Sequence, residues 1–248
     1  MKLMMLSPDE RKVRNFVGTD GAPRTSYDYF GKSSGRDFGP QGFLVTVEDR
    51  TLPSHFHDVD QYQILLGVPG SFYQRHEIAP LMIHYADAYS TYGPIVGGNP
   101  PLRFFTLRAD PTDFTGIMPS ARDRLLHRGR RQSHFSISTD SSATDSETEV
   151  LLSDDADGLA AVLMRSVTGA AIDLPSPSGS KGQFVYVISG EVEWDERSFG
   201  PESLGWQSAD DGPRQLRCLA DSQILVLRFP CPATNARLTE SAQAKADA

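Results

Sequence analysis

The chain of 248 residues makes the same short statement twice. Leu52-Pro53-Ser54 returns as Leu174-Pro175-Ser176, and Gln61-Tyr62 returns as Gln183-Phe184 at the same separation from it. Each Gln-aromatic pair opens an apolar run closed by a glycine, Gly67 in the first copy and Gly190 in the second. Later in each half an apolar run ends in Leu-Arg, at Leu107-Arg108 and again at Leu227-Arg228. The shared order and near-constant offset point to an internal duplication. A duplicated unit carries its own core, so the chain divides into two small domains rather than one large one.

Each copy is written in short strands. Gly42 to Glu48 alternates apolar and polar positions, and further β-rich runs follow at Tyr62 to Leu66, Ser71 to Arg75, Pro80 to Tyr85, Leu102 to Arg108 and Val185 to Ile188. Gly and Pro separate them, and no helical period is sustained. The fold class is therefore all-β, built of small barrels or sandwiches. One helix start interrupts this pattern at Pro119-Ser120-Ala121-Arg122-Asp123, with Ser120 as cap and Leu125 and Leu126 on the buried side. It predicts a short linking helix, and the basic run Arg128, Arg130, Arg131 suits the solvated end of such a helix.

Domain boundaries follow from composition. Residues 1–132 hold an N-terminal arm, its aromatics at Phe16, Tyr27, Tyr29, Phe30 and Phe38, and the first barrel. A Ser/Thr/Asp-rich stretch over 133–148 reads as a polar linker. Residues 149–232 form the second barrel, and 233–248 a polar, Ala-rich, flexible tail.

Charge removes several function classes. Acids outnumber bases by 32 to 24, a formal net charge of −8, whereas nucleic-acid binding needs a concentrated basic surface. Two cysteines, Cys218 and Cys231, imply no disulfide framework and suit a reducing compartment. MKLMMLSPDE turns charged too soon for a signal peptide, and no apolar run is long enough to span a bilayer. The expectation is a soluble cytoplasmic protein with no nucleic-acid or membrane partner.

Chemistry concentrates between Pro53 and Gly70 in the first copy. His55 and His57 stand at i and i+2, so on an extended strand both imidazoles leave the same face. Gln61 follows with a neutral oxygen donor. Two imidazoles and an oxygen form one face of a transition-metal site. The aromatic walls of a pocket there would be Phe56, Tyr62 and Tyr89, and His84 lies on the next strand but one. His76, His127 and His134 carry no such spacing, and Trp194 and Trp206 read as core or rim aromatics of the second barrel.

The stretch His55-Phe56-His57, then Gln61, then a Gly after a short apolar strand, resembles the first signature of the cupin superfamily. Gln61 stands where that family usually has Glu, and Asp49 where it usually has Gly. With the duplication, the chain resembles the two-domain members, or bicupins, from about Gly42 to Pro230. The resemblance implies two fused cupin-like barrels, that is, double-stranded β-helices or jelly rolls. It also implies one divalent transition metal (Fe, Mn, Ni, Co or Zn) on His55, His57 and Gln61. The family's final histidine would fall near Tyr89, Ser90 or Thr91, and none of these is histidine. Tyr89 could ligate as a phenolate if the metal lowered a hydroxyl pKa that starts near ~10. In the second copy Pro177 and Gly179 match the histidine pair, so that barrel lacks metal ligands.

Two functions follow from these residues. In the first, a metal in the first barrel acts on a small organic substrate, as a dioxygenase, decarboxylase or isomerase. In the second, the same groups hydrogen-bond a small-molecule ligand with no metal and no catalysis. Because a bicupin pairs its barrels internally, a monomer or weak homodimer is expected, with the aromatic arm as a possible strand donor.

Overall fold

The computed structural model describes residues 4–18, 21, 23–32, 39–48, 50–125, 131–139 and 145–231. Phe38, Asp49, Leu126, His127, Arg128, Arg130 and the tail expected over 233–248 lie outside them. The described residues form strands, turns and two short 3₁₀ turns, Pro8–Glu10 and Arg122–Arg124. The expected linking helix reduces to the second of these. Ser120 does not cap it, because its hydroxyl donates to the carbonyl of Ile117 at 2.9 Å. No described helix is long and apolar enough to cross a membrane.

The chain folds as two compact units. In the unit spanning Lys12–Ser138, a seven-stranded sheet runs in the order Gln132–Ser136, Met82–Ala86, Gln61–Leu66, Leu102–Arg108, Gln41–Val47, Pro23–Phe30, Lys12–Val17. Smaller sheets complete it. Thr51–Leu52, Ile95–Val96, Phe72–Tyr73 and His76–Glu77 make one, and His55–Phe56 pairs with Gly116–Ile117 in another. The other unit has a six-stranded sheet ordered Met4–Leu6, Leu204–Ser208, Gly182–Ser189, Ser222–Arg228, Leu159–Ser166, Glu147–Asp154. A four-stranded sheet, Ala171–Asp173, Gln215–Cys218, Val192–Trp194 and Arg197–Phe199, accompanies it.

The duplication is visible in the strand order. Gln61–Leu66 lies between Met82–Ala86 and Leu102–Arg108, and Gly182–Ser189 lies between Leu204–Ser208 and Ser222–Arg228. Gln183 faces Arg228 across the ladder, and Leu107 faces Tyr62, which sets Arg108 beside Gln61. The same Gln–Arg neighbours therefore occupy the same place in both copies.

Two boundaries differ from the sequence reading. Gln132–Ser136 is an edge strand on Met82–Ala86, so the polar stretch begins inside the first barrel rather than after it. Its burial alternates, intermediate at Ser133 and Phe135 and exposed between, which is how a polar segment can still serve as an edge. The N-terminal arm also divides. Met4–Leu6 pairs with Leu204–Ser208 in the second barrel, burying Met5, while Lys12–Val17 pairs with Pro23–Phe30 in the first.

Each barrel fills with its own apolar residues. Phe43, Val45, Leu65, Met82, Ile95 and Phe104 belong to the core of the first, and Ile172, Val185, Phe199, Leu216 and Val226 to that of the second. The closing glycines of the repeat are sites of close approach. A Cβ on Gly67 would lie 2.2 Å from the carbonyl oxygen of Ala79, and one on Gly190 would lie 2.2 Å from that of Asp221. Gly190 also sits at φ +79, where a side chain is strained, whereas Gly67 does not.

These positions separate two costs. Gly67→Ala should lose about 1–3 kcal/mol from overpacking alone. Gly190→Ala adds the left-handed backbone penalty of about 1–2 kcal/mol. Gly70→Ala, at φ +75 in open space, should show that penalty by itself. Equilibrium urea unfolding of the three variants checks the ranking Gly190 above Gly67 and Gly70.

Candidate functional site

A cavity of about 260 Å³ opens within the first barrel. Its walls come from the inward faces of three neighbouring strands. Side chains two apart share a face, so Phe43 and Val45, Phe104 and Thr106, and Gln63 all reach the cavity, with Arg108 at the end of the middle strand. His55, His57, Leu52, Tyr92, Phe114 and Ile117 close it from the other side. Apolar and polar side chains both line it.

His55 and His57 both line this cavity, their ring centroids 5.4 Å apart and their planes nearly perpendicular. Two contacts hold the segment: His55 exchanges backbone hydrogen bonds with Tyr92 at 3.0 Å each way, and Tyr89 donates to the His57 carbonyl at 2.7 Å. Each ring is fixed through Nδ1, which donates to a backbone carbonyl: Pro53 for His55 at 2.7 Å, Phe114 for His57 at 2.6 Å. Both rings therefore present Nε2 as an acceptor. Burial keeps them neutral. It lowers the His55 pKa to about 4, and holds His57 well below the usual histidine range with help from the neighbouring Arg108 charge.

The residue that organises the site is Arg108. It is 4% exposed, on the strand between Gln41 and Gln61, and its guanidinium reaches both. Nε donates to Gln61 Oε1 at 3.2 Å, Nη1 to Gln41 Oε1 at 3.1 Å, and Nη2 to His57 Nε2 at 3.1 Å. Burial lowers its pKa to about 10, which leaves it charged at neutral pH. Gln61 in turn donates through Nε2 to the Tyr92 hydroxyl. Burial raises that hydroxyl's pKa well above the usual tyrosine range, so it stays protonated, and its ring packs 4.5 Å from that of His55.

Of the expected site residues, the structure brings His55, His57 and Gln61 together, though Gln61 faces Arg108 and Tyr92 rather than the open cavity. The expected aromatic walls lie elsewhere, for reasons of periodicity. Tyr62 is one residue from Gln61 and so points to the opposite face, fully buried with its ring 4.8 Å from Tyr85. Phe56, between the two histidines, likewise points away and packs on Phe114 and Tyr89. Tyr89 sits in a turn at φ 63 against Phe56, and Tyr92 takes the wall position instead. His84 is one layer behind the wall, bonded through Nε2 to the Tyr73 hydroxyl at 2.9 Å and through Nδ1 to Gln63 Oε1 at 3.2 Å. Burial lowers its pKa to about 3. The sequence did carry a sign of Arg108, the repeated Leu-Arg at the strand end, but it marked duplication without revealing which way the arginine turns.

As placed, these residues do not fit a divalent ion. A neutral imidazole nitrogen has one lone pair, and that of His57 Nε2 accepts from Arg108, as does Gln61 Oε1. No cluster of three or more His, Cys, Asp or Glu suited to a metal occurs among the described residues. In the second barrel Pro177 and Gly179 lie in a turn closed by Ser180, whose backbone N–H donates to the Pro177 carbonyl at 3.2 Å. There Arg228 turns to backbone carbonyls, Gly158 at 2.6 Å and Ser176 at 3.1 Å, and Gln183 bonds Gln207 at 2.8 Å.

No protein-family profile matches the sequence, and no curated protein matches it. Solved structures do match its fold. A bacterial pirin from Escherichia coli in complex with nickel(II) superposes with a TM-score of 0.59 at 10% identity, over 92% of this chain and 99% of that one. A putative dioxygenase from Nostoc punctiforme gives 0.62 at 10%, over 92% and 83%. A mutant oxalate decarboxylase from Bacillus subtilis gives 0.57 at 11%, over 100% and 85%. At such identities the likeness is one of fold.

The buried neutral imidazoles carry a pH prediction. Their pKa values rise toward ~6.5 on unfolding, so below that pH the unfolded chain binds more protons than the folded one. Stability should therefore fall as pH drops from about 6.5 towards the folded values, by about 2 kcal/mol at pH 5 for His84, with His57 acting in the same direction. Urea unfolding at pH 7.5 and pH 5 measures it. Replacing His84 by Gln should remove its share of the difference.

Proposed function

We propose that this chain, whose two barrels have the cupin fold, uses the first barrel to bind a small organic molecule without a metal ion. One observation supports this reading above the others: the Arg108 guanidinium occupies His57 Nε2 and Gln61 Oε1 together. A divalent ion on the same atoms would have to displace a permanent cation and leave it buried nearby, against both desolvation and like-charge repulsion. The cavity itself, lined by apolar side chains together with a few buried polar groups such as His57 and Arg108, has the composition of a small-ligand site. The second barrel has a cavity of similar volume beside Gln183 and Arg228, but no histidine lines it and its arginine is held by the backbone carbonyls of Gly158 and Ser176.

A metal-dependent reading retains one specific support. Both histidines are tied through Nδ1 and present Nε2, the arrangement in which metal-bound imidazoles are usually oriented. The similar structures include a pirin described with nickel(II) and an oxalate decarboxylase with Mn(II) centres. Under that reading Fe, Mn, Ni, Co or Zn would be held by His55, His57 and Gln61 with Arg108 swung away, and would serve a dioxygenase, decarboxylase or isomerase reaction on a small substrate.

Metal analysis and thermal melting of protein purified without an affinity tag separate the two. The metal-free reading expects well under one equivalent of transition metal per chain and no rise in Tm with Ni, Mn, Fe, Co or Zn. A bound ion at a hundredfold excess over Kd would add about 2.7 kcal/mol, a shift of several degrees for a domain of this size. One equivalent per chain, lost in the His55→Gln/His57→Gln double variant, would overturn the proposal.

A further inference from the structure

Arg108 also points to the kind of molecule the cavity takes. Resting on the reading that the first barrel binds a small organic ligand, we propose that this ligand is a compact organic anion, a carboxylate on an apolar body. Its oxygens would meet Arg108, and its body would lie against Phe43, Phe104 and Phe114.

The argument begins with charge. Arg108 is almost wholly buried, and its three hydrogen bonds go to the neutral acceptors Gln41, Gln61 and His57. A buried guanidinium is poorly compensated by neutral partners and is well compensated by an anion. The three bonds use Nε and one N–H on each terminal nitrogen, so one N–H remains on each of Nη1 and Nη2. Such donors suit the two oxygens of a carboxylate, and the fork is already held by its neighbours, so little is lost in ordering it.

Other charged groups lie near the cavity. Arg24 lies on the wall and adds a second positive charge. Asp113 lines the cavity but is exposed, and Asp58, whose charge acts on Arg108 without a hydrogen bond to it, is partly buried and accepts from the Thr112 hydroxyl. His55 and His57 face the cavity as neutral rings. Two guanidiniums, Arg24 and Arg108, and one carboxylate, Asp113, thus line the cavity.

Size and shape narrow the class further. At about 260 Å³ the cavity lies below the ~300 Å³ at which drug-sized pockets begin, so a small body is required. Phe43, Val45, Leu52, Phe104 and Ile117 supply apolar walls that a polyhydroxylated or multiply charged molecule would leave poorly satisfied.

Matched acids and amides test this directly. Benzoate, phenylacetate and isobutyrate are titrated against benzamide, phenylacetamide and isobutyramide by calorimetry and by NMR shifts of the cavity residues. The expected result is binding of at least one acid tenfold or more tighter than its amide. Arg108→Met should lose that tenfold preference while melting cooperatively, and Arg108→Lys, which keeps the charge but not the fork, should retain part of it. If Arg108→Met does not fold, Arg108→Lys carries the comparison, and an unchanged acid preference there would show that the fork is not the receptor. Amides binding as well as or better than their acids would overturn the anion inference while leaving the small-molecule reading intact. Failure of both sets, with a divalent ion bound by His55 and His57, would overturn both.

Discussion

Everything at this site depends on how one buried positive charge is held. Arg108 ends a central strand of the first barrel, and the ladder sets Gln41 on one side of it and Gln61 on the other. Those two amides and the His57 ring are neutral acceptors, one for each nitrogen of the guanidinium. The two histidines are consequences of the same arrangement. Their Nδ1 atoms are fixed by carbonyls of Pro53 and Phe114, and one of their two Nε2 atoms is consumed by the arginine. A cation supplied by the chain stands among groups that, in another arrangement, would hold a cation from solution.

The surrounding network has layers. Gln61 links Arg108 to the Tyr92 hydroxyl, and Tyr92 stacks near both His55 and His84. Behind the wall, Tyr73, Gln63 and Gln132 share the two nitrogens of His84. Buried polar groups connected in this way rigidify a site because each partner would be costly to leave unsatisfied. The same burial keeps the imidazoles neutral.

The two barrels show how a shared framework holds different side-chain arrangements. Both place a glutamine beside an arginine at the same point of the ladder. In the first, the loop before the strand carries His55 and His57, and the arginine turns inward to meet them. In the second, the matching loop is a turn through Pro177 and Gly179, and Arg228 is drawn to the carbonyls of Gly158 and Ser176. The sheet is common to both, and the loops decide where the charge goes.

What the sequence determined by itself was what depends on local pattern and order. Repeated triplets, alternation and turn residues were sufficient for an all-β chain of two similar barrels, for the histidine pair on one face, and for a second copy without it. Those features are set by neighbours along the chain. What only the tertiary structure decided depends on neighbours across it. Tyr62 and Phe56 are one residue out of phase with the cavity, so alternation placed them on the opposite face, and Tyr92 arrived in their stead from a distant loop. The N-terminal strand Met4–Leu6 joined the second barrel because an edge at Leu204–Ser208 accepts it there. Above all, nothing local says whether an arginine ending an apolar strand turns to solvent, to a carbonyl or into a cavity. The pairing of three strands put Gln41 and Gln61 on either side of Arg108, and those long-range partners make an inward-facing charge tolerable.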